Sequence, residues 1–182
     1  MIITPVPFEL TLINDHTRSE GVHVSNTIRK IGFDLGYLKP EYLGAEMDVP
    51  RVSLGCAWED WVFPRQHPET LYHPGEIIKD GIAMTCDGLA WFDSDKKRVE
   101  ECKLTWKSMK RALDLEAEWM WLSQTKSYCW GWETQYARYC IYWVNGNYKY
   151  GTDEGKPQYR LYDLEFTYKE LKDNWQMIKN AQ

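Results

Sequence analysis

Apolar residues recur at spacings of three and four after Ser25, where Ile28, Ile31 and Leu35 would share one helix face. Ser25 offers an N-cap, and Gly36 and Pro40 end the run. Upstream, residues 3–13 read as an extended segment interrupted by Pro5 and Pro7, followed by a polar loop from Asn14 to Gly21. Asp48-Val-Pro50 predicts a second helix start, with Leu54, Trp58 and Trp61 as its apolar stripe and Pro64 as its stop. Residues 63–75 hold Pro64, Pro68 and Pro74 with two histidines, and read as a loop long enough to be a functional flap or a plain connector.

Residues 81–92 and 98–105 are rich in strand formers and flank the turn from Asp93 to Lys97. A helix is predicted at about 106–123, with Trp106, Met109, Leu113 and Met120 on one side. Another, at about 127–144, would gather Trp132, Tyr136, Tyr139 and Trp143 and stop at Asn145-Gly146-Asn147. Residues 148–151 and 158–167 predict a strand pair around Asp153-Glu154-Gly155, and a last helix at about 168–180 buries Leu171, Trp175 and Ile178. This order predicts an α+β or α/β fold with a central mixed β-sheet flanked by helices, in one domain over residues 1–182.

Composition narrows the class. The chain has 182 residues with 10 Trp, 12 Tyr and 5 Phe, too aromatic for disorder. No run of about 18 apolar residues offers a membrane span, and the N-terminus lacks the basic and apolar regions of a secretory signal. A cytoplasmic location with no membrane partner is the expectation. Cys56, Cys86, Cys102, Cys129 and Cys140 include no C-x-x-C pair, so reduced thiols are expected rather than a zinc knuckle. The formal net charge of −5 argues against broad, nonspecific coating of nucleic acid, although it leaves room for a local basic channel.

The chemistry concentrates in residues 81–103. Asp87 lies in one apolar run, and Glu101 and Lys103 lie in the next. Residues two apart in a strand point to the same face, so Glu101 and Lys103 would act together while the Cys102 side chain faces the core. Two carboxylates plus the Cys102 carbonyl would hold a hard cation, Mg²⁺ or Mn²⁺. Such an ion polarises a phosphoryl oxygen and acidifies a bound water. Lys103 would orient that water or offset charge building on the phosphorane. That set of groups is what metal-dependent phosphodiester cleavage needs.

Rival readings stand beside each residue. Asp87-Gly88 is also a common turn signal. An E-x-K register starting at Glu100 would put Cys102 in the lysine's place, which favours Glu101. Glu59, four residues after Gly55 on one helix face, competes with Asp60 for a role in the site. Lys96, Lys97, Arg98, Lys107, Lys110 and Arg111 flank the strand pair and suit phosphate contact, a solvated face being the alternative. His16, His67 and His73 carry no partner pattern that would mark them as ligands.

The pattern D-x13-E-x-K resembles the PD-(D/E)xK nuclease superfamily with its restriction-endonuclease-like core. Thr85-Cys86-Asp87-Gly88-Leu89 is similar to the S/T-P-D-G-L signature of its phage lambda exonuclease-like and RecB-like branch, with Cys86 in place of the proline. Val99-Glu100-Glu101-Cys102-Lys103 is similar to the E-x-K strand of that branch. Gly55 and Glu59 fit its G-x-x-x-E motif, and Gln135 and Tyr139 fit its helical Q-x-x-x-Y motif.

The resemblance spans about residues 51–144 and implies a Mg²⁺- or Mn²⁺-dependent deoxyribonuclease, an exonuclease acting on DNA ends in recombination or replication, phage-encoded or carried by a mobile element. It implies metal ligation by Glu59, Asp87, Glu101 and the Cys102 carbonyl, and catalysis by Asp87, Glu101 and Lys103, with Gln135 and Tyr139 positioning the strand. Lys107, Lys110, Arg111 and Arg138 become candidates for DNA contact. The implied partners are DNA and a single-strand annealing protein. Both ring-forming and monomeric nucleases use this core, so homo-oligomerisation stays open, as do an endonuclease of the same fold and a non-catalytic binding protein with a decayed core.

Overall fold

The computed structural model describes residues 19–39, 49–93 and 95–182, so the segment predicted at 3–13 and the start at Asp48 lie outside the described residues. Strand β1 (Val22–His23) leads into helix α1 (Val24–Asp34). Helix α2 (Val49–Ala57) continues through a π-helical turn, Trp58–Val62, into α3 (Phe63–Gln66). Strands β2 (Leu71–Tyr72), β3 (Ile77–Lys79), β4 (Ile82–Met84), β5 (Gly88–Phe92) and β6 (Lys96–Thr105) follow. A 3₁₀ segment, Met109–Ala117, precedes α4 (Trp119–Gly131). Strands β7 (Tyr136–Trp143) and β8 (Gln158–Glu165) and helix α5 (Tyr168–Asn180) complete the chain.

The strands form two mixed sheets. The larger has the order β2-β5-β6-β7-β8, with only β6 and β7 parallel, and the smaller has the order β1-β4-β3. Parallel neighbours need a long crossover, and α4 supplies it between β6 and β7. Val99, Ala137 and Leu89 on one face of the larger sheet pack with Val24 and Ile28 of α1, Tyr128 and Cys129 of α4, and Leu171, Trp175 and Ile178 of α5. Thr167 and Glu170 cap α5 reciprocally, which satisfies two otherwise orphaned amides. β3 and β4 join through Asp80 and Gly81, both at positive φ, and Asp80 Oδ2 accepts a 2.7 Å hydrogen bond from Trp175 Nε1 of α5. Among the described residues no helix is long and apolar enough to cross a membrane.

Several expected elements are corrected. The run at 127–144 is not a helix: α4 ends at Gly131 and 136–143 is a central strand. Its aromatic content suits a sheet buried on both faces, and that packing overrides the helical spacing. The helix expected at 106–123 splits into the 3₁₀ segment and α4, and 148–151 is not a strand. Residues 81–92 divide between the two sheets, leaving Asp87 at the junction. Pro64 does not stop its helix, which runs on from the π-helical turn through α3 to Gln66. Of the expected apolar stripes, Trp58, Ile28 and Ile31 are buried, while Leu35, Leu54 and Trp61 are exposed. The stretch 63–75 is a connector anchored by α3 and β2 rather than a free flap.

Candidate active site

Asp87 sits directly before β5, and its Oδ2 accepts the Cys102 amide at 2.6 Å. That bond ties the start of β5 to the middle of β6. Glu101 is almost fully buried, and Lys103, on the same face of β6, pairs with Glu101 Oε1. The Cys102 side chain turns to the opposite face, against Trp58, Phe63 and Cys140. Cys102 therefore meets Asp87 through its backbone and not its thiol. All five cysteines are free thiols.

Glu59 enters from the π-helical turn. A π turn changes the phase of a helix, and here Trp58 packs into the core while Glu59 comes within hydrogen-bonding reach of Asp87. Asp60 is exposed and accepts the Tyr72 hydroxyl at 2.5 Å instead. Gly55 faces open space, since an added Cβ there would meet nothing within 4 Å.

The electrostatics follow from this crowding. Burial, then Asp87 and Glu101, push the Glu59 carboxyl up to about 8. Burial and Asp87 raise Glu101 to about 7 against the pull of Lys103. Asp87 is also raised, by burial, with Lys103 and the Cys102 amide opposing. Burial alone would lower the Lys103 ammonium, but Glu101 and Asp87 more than offset it and hold the amine protonated. Three carboxylates thus crowd around the Lys103 ammonium, with His73 beside Glu59 and also lowering Asp87. Glu101 Oε2 is buried with no hydrogen-bond partner among the described residues. A divalent cation fits these groups: it would fill the orphaned lone pairs and lift the mutual repulsion.

Gln135 and Tyr139 do not converge on this cluster. Gln135 precedes β7, and its Nε2 donates to the Phe166 carbonyl at 2.9 Å. Tyr139 lies beside Glu101 in the sheet register but is fully buried, with Thr125 Oγ1 donating to its hydroxyl at 3.0 Å. The helix that follows β6 carries the same spacing at Gln124 and Tyr128, with Gln124 Nε2 donating to the Tyr128 hydroxyl at 2.6 Å. Gln124 lines a cavity of about 240 Å³ with Lys103, Ser25 and Trp121. The Tyr128 phenol is held well above its usual range by burial and then by Glu101 and Asp87.

The basic candidates scatter. Lys107 pairs with Glu118 and lies over the Trp121 ring at 4.8 Å; Lys110 is exposed; the Arg111 side chain lies outside the described residues. Arg138 is locked to Asp163 at 2.6 and 2.8 Å on the face of the sheet opposite Glu101. That face also holds a buried group, His67, Glu100 and Cys140, whose potential ligand atoms lie within 4.8 Å of one another. Its lone pairs are already engaged. Arg98 donates twice to Glu100 Oε1, Thr70 donates to Oε2, and Tyr159 bonds His67. We read it as a satisfied polar layer rather than a metal centre. His73 carried no partner pattern in the sequence, yet its Nε2 lies 3.0 Å from Glu59 Oε1.

No protein-family model and no curated protein sequence matches the chain. Solved structures do resemble it. A phage-related exonuclease from Haemophilus somnus superposes with a TM-score of 0.55 at 13% identity, covering 86% of this chain and 78% of that one. An alkaline exonuclease from Laribacter hongkongensis does so at 0.55 and 15% identity, and its complex with dAMP at 0.59 and 15%, each covering 88% of this chain and 85% of that one. At such identities the likeness shows the fold: the chain shares the architecture of these exonucleases.

Proposed function

We propose that the chain is a divalent-metal-dependent deoxyribonuclease that degrades DNA from its ends. The convergence of Glu59, Asp87 and Glu101 on a single ammonium, Lys103, with one buried carboxylate oxygen left unpartnered, carries this reading. The fold shared with exonucleases supports the same class. Glu59, Asp87, Glu101 and the Cys102 carbonyl would hold Mg²⁺ or Mn²⁺, which when bound supplies Lewis acidity and an acidified water. The Cys102 amide holds the Asp87 carboxylate in place. Lys103 stays protonated beside Glu101, poised to offset charge on the phosphoryl oxygens. Gln124, on the wall of the cavity beside Lys103, is placed to contact the strand, a role better suited to it than to the buried Tyr139.

The purified chain is expected to digest linear DNA with Mg²⁺ or Mn²⁺, stop on EDTA, and spare closed circles. Lys103→Ala should lower the rate at least about 100-fold while the protein stays folded. Nicking of closed circles would reassign it as an endonuclease. Intact DNA of every form with Mn²⁺ would end the nuclease reading.

A further inference from the structure

Glu59 needs a support that its own helix does not supply. Within its π-helical turn Trp61 is exposed, as is Leu54 one turn earlier, while Trp58 and Phe63 anchor the segment in the core on the side away from Glu101. The second support comes from the end of β2. The β2–β5 register pairs Leu71 with Leu89 and Tyr72 with Gly88, which brings residue 73 opposite Asp87. The His73 amide donates to the Asp87 carbonyl at 3.0 Å. The His73 ring stacks on Tyr72, centroids 3.8 Å apart at 24°, and its Nε2 meets Glu59 Oε1 at 3.0 Å. Tyr72 in turn donates to Asp60 Oδ1. Adjacent residues of β2 and its exit thus grip adjacent acids of the π turn.

His73 holds this place with φ of 47°, a left-handed conformation that a non-glycine residue adopts only where its surroundings over-determine it. Such positions cluster at functional sites. We infer that His73 is a positioning residue that couples the Glu59 side chain to the Asp87 backbone and so presets the spacing of two metal-binding carboxylates. The inference rests on the metal-dependent reading above. Its chemistry is that of an outer-shell imidazole on a ligating carboxylate, whose loss generally costs about 10- to 100-fold in metal affinity.

Three substitutions separate the parts of the clamp. His73→Phe keeps a ring to stack on Tyr72 but removes the nitrogen. His73→Gln restores a nitrogen at nearly the same reach. His73→Gly removes the side chain and relieves the backbone. Mn²⁺ binding, followed by calorimetry and by electron paramagnetic resonance of the free ion, is expected to weaken about 10- to 100-fold in the Phe and Gly variants. Most of the affinity should return in His73→Gln. His73→Gly should melt no lower than wild type, because its backbone suits a positive φ. Wild-type Mn²⁺ affinity in a folded Phe or Gly variant would overturn the inference while leaving the nuclease reading intact. A wild-type chain that neither binds Mn²⁺ nor cuts DNA would remove both.

Discussion

Glu59 and Glu101 store repulsion that a metal would relieve, and the sign of its pH dependence can be worked out. Both carboxyls titrate above their ordinary value near 4.5 in the folded chain, at about 8 and about 7. Between those values the native state binds more protons than the unfolded state, so stability falls as pH rises. The contribution is complete below about pH 4.5 and lost by about pH 8. Thermal melts of the chelated protein should therefore show a falling Tm from pH 5 to pH 8, and saturating Mg²⁺ should flatten the slope. Glu59→Gln removes one charge from the crowd and keeps an oxygen for His73. It should stabilise the chelated protein at pH 8 by about 1–2 kcal/mol while abolishing cleavage. A Tm that rises with pH, or a destabilised Glu59→Gln, would contradict the crowding. Asp87, Glu101 and Lys103 were legible in the sequence because the period of a strand is short and local. His73 was not, because its role depends on a register between β2 and β5 and on a positive φ that no sequence pattern signals.

At the scale of elements, the Asp87-Gly88 pair shows how one dipeptide supports two readings. Asp-Gly suggests a turn, yet Gly88 is the first residue of β5 at an ordinary φ. Its constraint is steric: a Cβ would lie 2.5 Å from Thr70 Cγ2 and 3.2 Å from Phe63. Gly88→Ala should thus push β2 and α3 off the sheet, costing about 1–3 kcal/mol in urea denaturation. Because that shift also moves His73, Mn²⁺ affinity should fall with it; an unchanged variant would show that Thr70 yields freely. The same lesson governs the Q-x-x-x-Y spacing, which occurs at Gln124–Tyr128, Gln135–Tyr139 and Gln158–Tyr162. Only the first lies on a helix. Choosing among them requires knowing that β7 is a strand, and its aromatic run satisfies both periods. Helix α5 was legible from its stripe of Leu171, Trp175 and Ile178, all buried, and the Thr167–Glu170 cap adds the start signal that the stripe alone did not show.

Across the whole molecule, the larger sheet carries opposite kinds of polar layer on its two faces, and β6 alternates between them. Glu101 and Lys103 face the crowded, cation-seeking site. Arg98 and Glu100 face a layer in which each charge has a partner, extended through Arg138 and Asp163. Glu100 is completely buried, so its ion pair with Arg98 is dictated by desolvation rather than by surface attraction. Removing one partner strands a buried charge, whereas removing both need not. Arg98→Leu alone should cost about 3–5 kcal/mol in chemical denaturation, and Arg98→Leu with Glu100→Leu should recover most of it. Zinc should shift the melting temperature of the wild type and of Cys140→Ser equally, because the lone pairs of Glu100 are already taken. A zinc-dependent rise in Tm that Cys140→Ser abolishes would instead make this face a second metal centre. Because residues 98 to 103 form one strand, the single variant should also misplace Glu101 and reduce cleavage, although it touches neither metal nor substrate.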